Sequence, residues 1–252
     1  MERSEFEKLY RLEDTHWWLI GKRRIARQLL KTIQPLGPSD LLLDVGCGTG
    51  GTLEFLTGQG SPVGADISPI ALSFCQRRGI PAILQASALA LPFADGTFSL
   101  VTAFDLLYHR QVTDDGVALR EFSRVCRPGG SLLATEPAFE WLRSDHDEVF
   151  HSRHRYTLGE LVDRIAAAGF RVVRASYVNA LLFPLILAIR ALSQVSPSRQ
   201  PDSDLKPLPP LLNRLLVSIV SLEAALLSRV SFPFGSSVIC LAHRPSDLRD
   251  QR

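Results

Sequence analysis

Leu41-Leu42-Leu43-Asp44-Val45-Gly46-Cys47-Gly48-Thr49-Gly50-Gly51 decides how the rest of the chain is read. Its first five residues are apolar except for Asp44, and breakers stand just before them at Pro35, Gly37 and Pro38. A short apolar run bounded in this way fits a strand buried on both faces, as in a parallel sheet. The glycines that follow let the backbone turn sharply and meet a ligand with no Cβ in the way, and a helix is expected to begin near Thr52. Strand, tight turn and helix N-terminus in that order form a ligand crevice at the carboxyl edge of an open sheet.

Outward from this stretch, short apolar runs recur at Pro62 to Ala65, Ala82 to Leu84, Phe98 to Ala103, Gly130 to Thr135, Phe170 to Tyr177 and Gly235 to His243. Helix-compatible stretches separate most of them, which predicts an α/β fold with a doubly wound, mostly parallel, seven-stranded sheet. Before the first strand, residues 1–36 read as one or two amphipathic helices carrying Phe6, Leu9, Tyr10, Trp17, Trp18, Ile25, Leu29 and Leu30. Residues 180–234 read as an insertion before the last strand. Ala180 to Leu192 is nearly all apolar and interrupted by Pro184. Ser196 to Pro210 holds prolines at 197, 201, 207, 209 and 210 and reads as a mobile connection. Leu211 to Val230 then has leucines at helical spacing. A single domain of 1–252 is expected, with an α/β core at 37–179 and 235–244, the first 36 residues as a lid and the insertion as a hydrophobic helical cap.

The chain has 28 basic and 26 acidic side chains, a net charge of +2, so no global field draws it to nucleic acid or an anionic membrane. Cys47, Cys75, Cys126 and Cys240 lie far apart in the sequence and lack the spacing of a metal site or a small disulfide framework. Met1 to Lys8 is charged, without the apolar core of a secretion signal, so a cytoplasmic setting is expected.

Gly46, Gly48 and Gly51 also satisfy the G-x-G-x-x-G spacing of dinucleotide sites, and Asp66, 20 residues after Gly46, suits a ribose in either kind of cofactor. Asp44 separates the two. A carboxylate at the strand end would repel a pyrophosphate, whereas the ammonium and sulfonium of S-adenosylmethionine favour it. Leu41 to Gly51 resembles the first motif of the class I methyltransferases, particularly the small-molecule group in which it reads D-V-G-C-G-T-G. Gln85 to Phe93 is similar to the family segment ending in Leu-Pro-Phe, Phe98 to His109 to the fourth strand and its loop, and Arg127-Pro128-Gly129-Gly130 to the turn entering strand five. The resemblance covers residues 40–136 and, less closely, 155–179. It implies S-adenosylmethionine as cofactor, S-adenosylhomocysteine as product, and a binding set of Asp44, Gly46, Cys47, Gly48, Gly50, Asp66, Ile67, Ser87, Ala88, Leu89 and Phe104. Asp105 is expected beside Phe104 at the methionine end. Ser87 stands where the family usually has an aspartate for the adenine amino group, a change costing about 1 kcal/mol or less.

Methyl transfer needs an aligned electron-rich acceptor and, for a hydroxyl, a base. His109, after the fourth strand, and His151 in His151-Ser152-Arg153-His154-Arg155-Tyr156-Thr157 are the candidate bases. That second run precedes a capping-box pattern at Thr157 to Glu160; Arg153 and Arg155 offer a site for an acidic acceptor, with a solvated basic edge as the plain alternative. His146 between Asp145 and Asp147 is too sparse a set for a metal, and none is expected. Trp17 and Trp18 with Arg23 and Arg24 suit a helix folded over the cofactor, or simple packing. The expected acceptor is small and apolar or lipid-linked, capped by 180–234, with a homodimer contact or peripheral membrane contact through that insertion as alternatives. Two other functions stay open: a nicotinamide-dependent oxidoreductase and a non-catalytic cofactor-binding scaffold.

Overall fold

The computed structural model describes residues 1–195 and 203–246. Seven strands, β1 (Leu41–Val45), β2 (Ser61–Asp66), β3 (Ile83–Gln85), β4 (Phe98–Phe104), β5 (Cys126–Pro137), β6 (Arg171–Val178) and β7 (Ser237–His243), form one sheet in the order β3-β2-β1-β4-β5-β7-β6. The five from β3 to β5 are parallel, and β7 runs antiparallel between β5 and β6. The doubly wound α/β sheet expected from the alternating apolar runs is present.

Strand alternation sets which residues look at which layer. Leu43 and Val45 of β1 face a core filled by Leu119 and Phe122 of α5 (Asp115–Val125) and by Leu161 and Ile165 of α7 (Leu158–Ala167). Leu42 faces the other way, into a core built from Ile25 and Leu29, Leu56, and Leu216 and Val220. Asp44 shares the parity of Leu42, so its carboxylate is turned toward that second layer at its upper edge. The layer is made by α2 (Trp17–Leu30), α3 (Gly51–Thr57) and α9 (Pro210–Leu227). Thus α2 is both core and cover. Ile25 and Leu29 are almost fully buried, and the N-terminal turns of the same helix reach over the crevice together with α1 (Arg3–Leu12).

On the β2 side lies α4 (Pro69–Arg77), started by Ser68 and Pro69. After β5 come a short 3-10 turn at Glu140–Leu142 and α6 (Asp145–Val149). Pro184 does not interrupt the insertion. It is the second residue of α8 (Phe183–Val195), where its fixed φ suits a helix and its missing N–H would have been unpaired. Pro210 likewise occupies the first turn of α9. Of the expected mobile connection, the positions around Pro197 and Pro201 lie outside the described residues. At α7, Thr157 caps as expected, accepting from Glu160 N at 3.2 Å, but Glu160 does not complete the box because its carboxylate pairs with His154 and Arg164.

Helices α2 and α9 cross closely. A Cβ on Gly21 would lie 2.6 Å from Val220 Cγ1, so glycine at this position sets how near the helices approach. Asn213 of α9 accepts from Trp17 N at 2.9 Å and donates to Thr15 O at 2.8 Å, tying the helix to the α1–α2 corner.

Candidate active site

The glycine turn leaves β1 with positive φ at Gly46 (+73°), Gly48 (+54°) and Gly50 (+93°), a region that side chains with a Cβ rarely adopt. Gly46 N donates to Ala65 O at 2.7 Å, holding the turn across β2. Asp66 then fixes the outer strand end to it: Oδ2 accepts from Gly48 N at 2.9 Å and Oδ1 from Ser68 N at 2.8 Å. In front of Gly48 there is room, since a Cβ there would meet nothing nearer than Gly46 O and Leu9 Cδ2 at 4.0 Å.

That room is part of a cavity of about 400 Å³ at the carboxyl edge of the sheet, within the range of small-molecule sites. From the predicted cofactor set, Asp44, Gly46, Cys47, Gly48, Asp66, Ile67, Ser87, Ala88 and Phe104 line it. Gly50 and Leu89 are not in the wall. Gly50 packs against Ile80, Arg78 and Cys75, where a Cβ would come as near as 2.7 Å, and Leu89 belongs to the periphery of the α5–α7 core. Ser87 Oγ accepts from Leu89 N at 3.2 Å, so its oxygen is partly engaged in its own turn.

Asp44 lies on the cavity floor, 2% exposed, with Oδ1 accepting from Thr102 Oγ1 at 2.6 Å across the β1–β4 register. Burial pushes its pKa up to about 7; the Thr102 hydrogen bond and the Lys22 ammonium pull it down, while the Glu13 and Asp66 carboxylates push it up. Burial also raises Asp66 and Glu13. The floor therefore gathers carboxyl groups that suit a cationic ligand and repel a diphosphate.

Sequence reasoning missed three features of this floor. Glu13, from the α1–α2 corner, accepts from Thr49 Oγ1 and is paired with Arg78 Nη2 at 3.2 Å. It lies directly over Gly51, where a Cβ would sit 2.3 Å from its Cδ. Lys22 of α2 reaches in and pairs with Asp105, which sits at φ +52° after β4 and accepts from Thr135 Oγ1 at 3.1 Å. The glycine one residue before Lys22 was the available hint that this helix meets another closely. The third is Cys75, whose Sγ lies 4.0 Å from Cys47 Sγ behind the turn, although 28 residues separate them.

Toward the acceptor side the wall holds Tyr108, His109, Gln111, Val112, His146, Phe150 and Leu205, with Phe6, Leu9 and Leu19 from the N-terminal helices. His109 lines the cavity. His151 does not: it stacks behind His109 with ring centroids 5.9 Å apart. Burial holds the His109 pKa down to about 4, so the ring is neutral near pH 7. Its Nδ1 accepts from Gln111 N at 3.2 Å, which leaves the proton on Nε2. His146, the residue set aside as a metal ligand, is the second cavity imidazole; its Nδ1 accepts from Asp204 N at 3.1 Å, and burial lowers its pKa as well. In both rings Nδ1 is thus engaged by a backbone N–H.

The basic run after His151 is structural. Arg155 is buried between Asp147, at 2.7 Å and 3.0 Å, and Ala138 O. Arg153 reaches Asp115 at 3.5 Å, and His154 pairs with Glu160. Arg155 is therefore committed to Asp147, whereas Arg153 stays exposed and touches Asp115 only at 3.5 Å, which fits the solvated edge. No group of three metal-ligating side chains occurs among the described residues.

Residues 43–134 match the sequence family described as "Methyltransferase domain". A demethylmenaquinone methyltransferase from Mycolicibacterium vanbaalenii is 40% identical over 119 residues, 46% of this chain and 50% of that protein. The chain thus spans about half the length of the curated relative it matches. Among solved structures, a geranyl diphosphate C-methyltransferase from Streptomyces coelicolor A3(2), in complex with Mg²⁺, geranyl-S-thiolodiphosphate and S-adenosyl-L-homocysteine, superposes with TM-score 0.59 at 16% identity. That match covers 87% of this chain and 74% of the other. The cyclase SpnF superposes with TM-score 0.57 at 20% identity, over 89% and 82% of the two chains. At such identities these two establish the fold alone.

Proposed function

From a chain that resembles the class I methyltransferases and carries a methyltransferase domain over residues 43–134, we propose that the protein moves a methyl group from S-adenosylmethionine to a small acceptor with an oxygen-bearing ring and an apolar tail. The carrying observation is the cavity floor beneath the glycine turn, where Asp44, buried and bonded to Thr102, lies within the field of the Glu13 and Asp66 carboxylates and suits an ammonium.

S-adenosylmethionine supplies, when bound, a methyl carbon made electrophilic by its sulfonium. In this chain, Gly46 and Gly48 would lie against the methionine portion, Asp44 would take its ammonium, and Asp66 would accept from the ribose hydroxyls beside Ile67. Helices α1 and α2 exclude water, held shut by Glu13 on Thr49 and by Lys22 on Asp105. The Nε2–H groups of His109 and His146 hold an acceptor oxygen, which orients the neighbouring atom for in-line attack. Phe6, Leu19, Val112, Phe150 and Leu205 suit the apolar part of such a molecule. The name of the mycobacterial-type relative supports a demethylmenaquinone as the acceptor to try first.

The test has two parts. Calorimetry with S-adenosylhomocysteine should show binding that falls about tenfold or more in Asp44→Asn and in Asp66→Asn, the loss expected for a charge-assisted hydrogen bond. Incubation with methyl-labelled S-adenosylmethionine and dithionite-reduced demethylmenaquinone should yield a labelled product. If both carboxamide variants bind as well as wild type, the site is wrong. Binding without label transfer to any oxygenated ring with an apolar tail would favour a cofactor-binding scaffold, and tight NADH binding would restore the oxidoreductase reading.

A further inference from the structure

We propose that the outward face of α9 docks on an anionic lipid surface. Leu211, Leu215, Leu222 and Leu226 follow one another at intervals of four, seven and four residues, which places them in one row along a helix. They are 80%, 57%, 58% and 37% exposed. The opposite face of the same helix, with Leu216, Val220, Ala224 and Leu227, is buried against α2 and the sheet. The helix is thus apolar on both sides while protein covers one. An uncovered row of leucines this long marks a contact surface.

Charge identifies the contact. The one acid of α9, Glu223, is turned inward and accepts from Leu181 N at 3.0 Å. Arg214 near the start of the leucine row and Arg229 just after its end are exposed, and exposed Arg24 of α2 donates to Ser221 of α9. Cations flanking an apolar row match a negative headgroup layer above hydrocarbon. A second copy packed about a two-fold axis would instead set like charges against each other. The attraction is local, arising from one face of a chain whose net charge is only +2.

The helix lies flat on its protein support. By length and apolarity α9 could cross a membrane, but Val220 is packed on Gly21 and Asn213 is bonded to the α1–α2 corner, so the inner face stays with the protein. Because α2 carries Trp18 and Lys22 into the cavity wall, docking through α9 would bring the cavity's helical cover to the lipid surface. Docking itself does not depend on the methyl-transfer reading.

Flotation of the full chain with phosphatidylglycerol-containing vesicles, against phosphatidylcholine alone, reads the proposal directly. Wild type is expected to float with the anionic vesicles and at least about tenfold less with neutral ones or in high salt. Leu215→Ser/Leu222→Ser should lose at least about tenfold in partitioning, with its melting transition and S-adenosylhomocysteine binding kept. Arg214→Gln/Arg229→Gln, which leaves the apolar row intact, should lose the preference for anionic vesicles and serves as the deciding variant if the leucine pair melts early. Failure of wild type to float with either vesicle, or equal flotation of wild type and both variants, overturns the proposal. So does light scattering that shows a dimer abolished by the leucine changes without any vesicle binding.

Discussion

At the scale of single residues, Asp44 carries the ligand's charge preference, and its titration makes that preference measurable. Its folded pKa, about 7, is raised by burial above an unfolded value near 3.9. The sign follows from linkage: the folded state favours the protonated form, so this group's stability contribution is complete below about pH 4 and is lost as pH rises through 7. A bound ammonium reverses the preference. S-adenosylhomocysteine affinity should therefore rise between pH 6 and pH 8, and the rise should flatten in Asp44→Asn; calorimetry at several pH values checks both. Gly51 makes a second residue-scale case. Alanine there would force Glu13 off the turn, because its Cβ would sit 2.3 Å from Glu13 Cδ. Gly51→Ala is expected to raise hydrogen exchange in residues 3–30 and to weaken cofactor binding, while exchange in the sheet stays slow. In the sequence both positions were visible as types, an acid and a glycine, but the carboxylate that occupies the space over Gly51 comes from 38 residues earlier and no local pattern announces it.

Between elements, two joints hold the N-terminal helices over the crevice. Arg78, at the end of α4, donates from Nε to Thr49 O at 2.9 Å and pairs with Glu13 at 3.2 Å, Asp14 at 3.1 Å and Glu54 at 2.7 Å. Arg78→Ala would take from the buried Glu13 its hydrogen-bonded counter-charge and leave only the field of Arg23, a loss of about 1.5–3 kcal/mol, which at about 2–4 °C per kcal/mol for a chain of this size should appear as a lower melting temperature. At the second joint, Gly21→Leu would wedge α2 from α9. Overpacking there should cost about 1–3 kcal/mol, and the same thermal melt would register it. If Gly21→Leu melts like wild type, the close crossing of these helices is not what fixes the cover. The amphipathic pattern announced both helices, yet it could not say that α2 would serve as core along one stretch and as cavity wall along another. That division depends on how far α2 overhangs the sheet edge.

Across the whole molecule, a ligand that binds the folded chain alone should stabilise it by about 2.7 kcal/mol at a hundredfold excess over its dissociation constant. S-adenosylhomocysteine is expected to raise the melting temperature by roughly 5–10 °C, and NADH to leave it unchanged; differential scanning fluorimetry distinguishes them. By itself the sequence determined the strands, the glycine turn and the acid ahead of it. These rest on short-range periodicity, on which residues tolerate positive φ, and on the parity that turns every second side chain to one layer. What the tertiary structure alone decided is which distant side chains share the crevice. Lys22 and Glu13 descend on it from a helical corner, His146 lines it while His151 stacks behind His109, and Arg155 is consumed by Asp147. The reason is physical: periodicity fixes the face a residue occupies, but contacts between elements depend on packing distances and on burial competing with ion pairing, which are properties of the assembled chain.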